Sequence, residues 1–257
     1  MRTKATRRTL QRGSYSFHWT DLQRRCLSEM LGTYLLVLFG PGSVVTASVM
    51  GLSPAETLFF VAAVFGITVA FVILGLGRFS GAHINPAISV GSAIAGLLER
   101  ELVLPYMAFQ VAGGVLAGFS LSILFGVAGS RTNLGSTSLA VGISPIEGVL
   151  LEVVGTFFLT TSALLAGSLL KSKLGQAFLV GGTLFILILV IGPSTGASFN
   201  PARSLGPSLF SGYLSAQIVY YIGPVLGAIL AGLVFRRLRK RYVKEISFQR
   251  PDSLRVR

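Results

Sequence analysis

Charge is scarce in this chain. Of its 257 residues only 12% are charged, and nine are acidic, whereas a soluble domain carries about 25% charged residues. That shortage excludes an ordinary soluble globular fold. Cysteine is almost absent: Cys26 stands alone, so no disulfide framework can form within the chain, and the compartment is left open. Histidine is nearly as rare. His18 and His83 are the only two, so no metal cluster is expected. Nothing pairs a nucleophile with a base, which argues against an enzyme.

What the chain does have is apolar sequence: 52% of residues are hydrophobic and the mean hydropathy is +0.73. About 20 apolar residues suffice to cross a bilayer. Six stretches qualify, at 26–50, 56–77, 103–127, 147–169, 174–192 and 213–235. Two shorter apolar pieces, 85–96 and 201–210, are too short to cross. The expected fold is therefore an all-α membrane protein with six transmembrane helices and two re-entrant half-helices.

The net charge of +13 invites a nucleic-acid reading, but its placement opposes one. Seven basic residues precede Cys26 and nine lie from Arg236 onward, so both basic ends flank apolar spans. Positive-inside topology, with attraction to anionic lipid, is the simpler explanation, and no nucleic acid is expected. Both termini then face the cytoplasm and the chain sits in the cell membrane. The loop near 171, with Lys171 and Lys173, is inside; the loop at 128–146, with only Arg131, is outside. Residues 1–25 read as a cytoplasmic tail, although an Arg-rich, acid-poor segment is also the composition of an organelle transit peptide. Tyr15, Phe17 and Trp19 suit an interfacial aromatic anchor. Residues 236–257 read as the second basic tail.

The two halves repeat. Glu29-Met-Leu-Gly32-Thr33 matches Glu152-Val-Val-Gly155-Thr156, and Gly81-Ala82-His83-Ile84-Asn85-Pro86-Ala87 matches Gly196-Ala197-Ser198-Phe199-Asn200-Pro201-Ala202. The repeat units are 26–127 and 147–235. Each holds three spans, an odd number, so the halves lie in opposite orientations; broken helices at the interface of inverted repeats mark transport sites. Asparagine caps a helix and proline fits its first position. Each motif thus reads as extended backbone entering a short helix, which a membrane tolerates only inside protein or beside a water-filled cavity. Gly114 with Gly118, Gly223 with Gly227, and Gly66 against Gly181 suit close helix crossings, although any one glycine can also be mere tolerance.

Two Asn-Pro-Ala motifs in an inverted three-span repeat, each with Glu-x-x-Gly-Thr upstream and the second continuing as Asn200-Pro201-Ala202-Arg203-Ser204, resemble the aquaporin (major intrinsic protein) family across roughly 26–237. The resemblance implies a homotetramer with one passive, cofactor-free pore per subunit. It implies that Asn85 and Asn200 donate to a water at the pore centre, held by Pro86, Ala87, Pro201 and Ala202. The carbonyls of Gly81, Ala82, His83, Gly196, Ala197 and Ser198 would line the pore. Glu29 and Glu152 would brace the two re-entrant loops; a proton relay would need a chain of titratable partners, and none is evident. The alternative for each asparagine is an ordinary cap, for His83 a metal ligand in place of a structural histidine, and for Arg203 snorkelling to the interface.

By resemblance the outer constriction falls on Phe65, Ile188, Ala197 and Arg203. Strict water channels usually carry histidine at position 188, and glycerol facilitators Trp, Gly and Phe at the first three positions. This set looks closest to archaeal-type aquaporins. Ser204, Ser208 and the Tyr220-Tyr221 pair resemble water channels. The expectation is a water channel that excludes protons and ions. The alternative is a broader facilitator of small neutral solutes such as glycerol, ammonia, hydrogen peroxide or dissolved gases. An ion channel would want an acidic ring or a carbonyl filter, and a coupled transporter would want further intramembrane titratable groups; neither is visible.

Overall fold

The computed structural model describes residues 20–249, with side chains through Arg239. Eight α-helices follow in order: α1 (Asp21–Val49), α2 (Pro54–Ser80), α3 (Pro86–Ala95), α4 (Arg100–Arg131), α5 (Pro145–Leu169), α6 (Lys173–Thr195), α7 (Pro201–Ser211) and α8 (Val219–Gln249). Among the described residues there is no strand, and six helices are long and apolar enough to cross a membrane. The half-helices α3 and α7 are the two short pieces expected from sequence.

Local chemistry sets the helix starts. Ser53-Pro54-Ala55-Glu56 and Ser144-Pro145-Ile146-Glu147 form capping boxes with proline in the first turn, satisfying amides that a helix leaves free. Thr20 and Gln23 form a third box. Helix α1 therefore begins at Asp21, inside the segment expected to be tail, and the aromatic anchor at residues 15–19 lies outside the described residues. At the other end α8 begins only at Val219 and continues through Gln249. The stretch 236–249 thus extends the last helix, because no glycine or proline interrupts it.

The halves pack as inverted copies. α1 lies on α4 and α5 on α8, while α2 and α6 cross between the halves. At that crossing a Cβ on Gly66 would sit 2.8 Å from the Gly181 carbonyl oxygen, and one on Gly181 2.5 Å from the Gly66 oxygen. Without side chains the two backbones touch, which is how small residues bring membrane helices together. Each half-helix leans on the other half through the same device. Gly206 of α7 faces the Gly114 backbone of α4, and Gly91 of α3 faces the Ala228 backbone of α8. Gly223 and Gly227 likewise seat α8 against Val149, Glu152 and Val153 of α5. Six alternating crossings put both ends of the described chain on one face, here called the terminal face.

Candidate functional site

The Glu-x-x-Gly motif has a simple geometric purpose. Residues i and i+3 share one helix face. On α1, the Glu29 carboxylate accepts from the backbone N–H of His83 (3.0 Å) and of Ile84 (2.6 Å), while Gly32 makes room for the Ile84 side chain. On α5, Glu152 accepts from the N–H of Ser198 (3.0 Å) and Phe199 (2.7 Å) and from Thr195 Oγ1 (2.7 Å), while Gly155 faces the Phe199 ring. Both glutamates are fully buried. Ala82, Ile84, Ala197 and Phe199 all have positive φ, between 46° and 53°. Side chains rarely adopt that conformation, and the carboxylate bonds hold it in place.

The two loops meet at their asparagines. Asn85 Oδ1 accepts from Ala87 N–H (2.9 Å) and Asn200 Oδ1 from Ala202 N–H (3.0 Å), so both are caps. Each Nδ2 then donates across to the opposite loop: Asn85 to the Phe199 carbonyl (2.7 Å) and Asn200 to the Ile84 carbonyl (2.8 Å). An amide nitrogen has two hydrogens. One of each is spent on the opposite loop, and both asparagines also line the central cavity. The cap and the donor are therefore the same residue.

Two cavities lie in line. The first opens on the terminal face, holds about 300 Å³, and runs from Lys173 and Leu97 past Asn85 and Asn200 to Phe65 and Arg203. The second opens on the opposite face, holds about 530 Å³, and is walled by Pro54, Leu58, Ile188, Gly196 and Arg203. Arg203 lines both, so it stands where they meet. Its Nη1 donates to the Gly135 carbonyl (2.9 Å) and its guanidinium lies 5.1 Å from the Phe65 ring centroid. Its Nε is buried and has no hydrogen-bond partner among the described residues. Gly40 leaves the space on α1 that the Phe65 ring occupies. Phe65 and Ile188 belong to one buried apolar cluster with Ala197, which is 2% exposed and lines neither cavity. Of the expected carbonyl-bearing residues, Gly81, Ala82, His83 and Ser198 line the first cavity and Gly196 the second.

His83 Nδ1 and Ser89 Oγ share a hydrogen bond of 3.2 Å, and the imidazole stands edge-on to Tyr106. Among the described residues no group of His, Cys, Asp or Glu could hold a metal ion. Several residues of the site escape sequence reasoning. The segment 133–137, expected to be a plain outer loop, folds back into the protein: Gly135 holds Arg203, and Thr137 bonds Ser204 Oγ (2.8 Å). Gln110 donates to Glu29 (2.7 Å) and to Ser89 (2.9 Å). Tyr106 and Tyr220 donate to the Ser80 and Thr195 carbonyls, both at 2.9 Å, and so fix the two loop entries alike. The signal available in the sequence was Asn133 and Gly135, residue types that favour positive φ, and the structure places Asn133, Leu134 and Gly135 there.

Inverted bundles whose half-helices meet between two cavities, one opening on each face and both lined by Arg203, have the architecture of a multi-pass membrane channel. The chain belongs to the major intrinsic protein family, whose model matches residues 16–235. It is 33% identical to aquaporin NIP1-1 of Zea mays over 240 residues, covering 90% of this chain and 82% of that one. It is 32% identical to aquaporin AqpM of Methanothermobacter marburgensis over 243 residues, covering 85% and 98%. Its fold is similar to that in the X-ray structure of the aquaglyceroporin from Plasmodium falciparum, with a TM-score of 0.77, 22% identity, and 88% and 98% of the two chains covered. Membership makes this protein a channel for water or small solutes.

Proposed function

We propose that the protein is a passive water channel that excludes protons and ions. One observation carries the reading: two capped asparagines, each with one amide hydrogen spent on the opposite loop, converge in a single cavity. The second hydrogens supply two donors at the centre, where the positive ends of α3 and α7 also converge. A water there accepts two hydrogen bonds and turns its own hydrogens away along the pore. It cannot pass a proton across the middle, and a cation meets a positive barrier. Arg203 supplies the next donor, because a buried N–H without a protein partner favours a polar permeant.

The second reading, a broader facilitator of small neutral solutes, rests on Ile188. It is 4% exposed and places an aliphatic wall where a polar contact would favour water. Ser204 and Tyr220 are committed to structural bonds, and they support the water reading by resemblance. The protein acts as a homotetramer in the plasma membrane with both termini in the cytoplasm; the basic ends support that orientation. Stopped-flow light scattering on proteoliposomes tests the function. Fast water flux with little glycerol entry is expected, and substantial glycerol entry would transfer the conclusion to the second reading.

A further inference from the structure

The inverted repeat makes the two mouths comparable residue by residue. A shift of 115 positions carries Asn85 onto Asn200, Ser80 onto Thr195, Gly77 onto Gly192 and Gly66 onto Gly181. The same shift pairs Leu58 with Lys173 and Val61 with Gln176. Packing obeys it. Leu58 Cδ1 lies 3.3 Å from where a Cβ on Gly192 would stand, and Lys173 Nζ lies 3.7 Å from the corresponding point on Gly77. Each of the four mouth residues lines the cavity on its own face. Where one mouth has two aliphatic side chains, the other has an ammonium and an amide.

The ammonium is held in position. Gln176 donates its Nε2 to the Leu170 carbonyl (2.6 Å), which turns its Oε1 to accept from Lys173 Nζ (3.0 Å). The Gly77 carbonyl, in the last turn of α2, accepts from the same nitrogen at 3.5 Å. The negative end of α2 favours a cation there. Lys173 therefore leans onto the wall between α2 and α6, in a cavity that apolar Leu97, Ala163 and Val180 also line. Low-dielectric walls focus the field of such a charge into the opening. Lys171, two residues away, is exposed as Lys173 is, but lines neither cavity.

We propose that Lys173 is a second specificity-determining residue of this channel: its ammonium sets a positive potential at the mouth on the terminal face and repels cations before they reach the asparagine pair. The proposal rests on the reading of the cavity as the conduction path. It places two cationic groups in series, Lys173 at one end of the cavity and Arg203 at the other.

Because Cys26 is the only cysteine, a Cys26→Ser background permits a clean reporter. Gly167 lines the same cavity, with nothing within 4 Å of an added Cβ. In Cys26→Ser/Gly167→Cys protein, the modification rates of a negatively and a positively charged methanethiosulfonate of similar size give a ratio that reads the local potential. Lys173→Leu, which installs the residue found at the opposite mouth, lowers that anionic-to-cationic ratio about fivefold, the effect of one unit charge several ångströms away in partly screened surroundings. Lys173→Arg preserves the ratio. An unchanged ratio in Lys173→Leu overturns the proposal, and so does an equal fall in Lys171→Leu, which would assign the potential to general surface charge. In proteoliposomes of Arg203→Val protein, adding Lys173→Leu raises potassium leak several-fold; no rise overturns the selectivity role. Absence of osmotic water flux in the unmodified protein would instead count against the proposed function, while the ratio would still report on Lys173.

Discussion

At the scale of single residues, the site is built from buried polar groups whose partners are prescribed. Glu152 accepts from three donors. Removing a buried acceptor strands each donor at a cost of about 1–3 kcal/mol. Glu152→Ala is therefore expected to destabilise the protein by at least about 2 kcal/mol and to abolish channel activity. A detergent unfolding midpoint unchanged from the parent would contradict the bracing role. Ile188 sits on the wall where the two cavities approach Arg203. Ile188→His adds a polar contact and narrows the passage, so glycerol and ammonia flux should fall relative to water in stopped-flow measurements. An unaltered ratio would show that position 188 is outside the constriction. Cys26 is 2% exposed on α1, away from both cavities. Mercury should leave osmotic permeability intact, and a potent block reversed by thiol would be the contrary result.

At the scale of elements, the decisive contacts are between backbones. Gly206 seats α7 on α4 and Gly91 seats α3 on α8. A branched side chain at either position would push a half-helix off its support and separate the two asparagines. Gly206→Leu is expected to yield little monodisperse protein, whereas Gly75→Leu, with open space around its Cβ, should behave as the parent does. Size-exclusion profiles of the two variants make the comparison; equal profiles would show that the close crossing is dispensable. The same reasoning explains why the half-helices are short. Gly96 and Gly212 end them in left-handed conformations, with φ of 75° and 72°, which glycine adopts at little cost.

At the scale of the whole molecule, the inverted repeat explains both the path and its asymmetry. Two copies of one half, turned over, bring two helix starts to a common centre. What the halves do not share distinguishes the two ends: Lys173 stands against Leu58, Gln176 against Val61, and Arg203 has no basic counterpart in the first half. A neutral-solute channel with these charges should carry osmotic water flux without ionic current. Planar bilayers containing the purified protein are expected to show no conductance above the bare membrane at protein densities where vesicles of the same lipid shrink rapidly; a measurable current would favour an ion channel.

Much of this was already written in the chain. Composition, six apolar runs and two Asn-Pro-Ala stretches determined a six-span protein with two half-helices, because hydrophobic length and capping chemistry are local properties. The repeated Glu-x-x-Gly and the odd number of spans per half determined the inversion, because each crossing reverses direction. The tertiary structure alone decided which atoms the asparagines bind, since Asn85 and Phe199 lie 114 residues apart and only packing brings them together. It also folded 133–137 back onto Arg203, joined α8 to the basic stretch behind it, and turned Lys173 toward a cavity. Those outcomes depend on long-range contacts and on the space between helices, and neither leaves a periodic mark on the sequence.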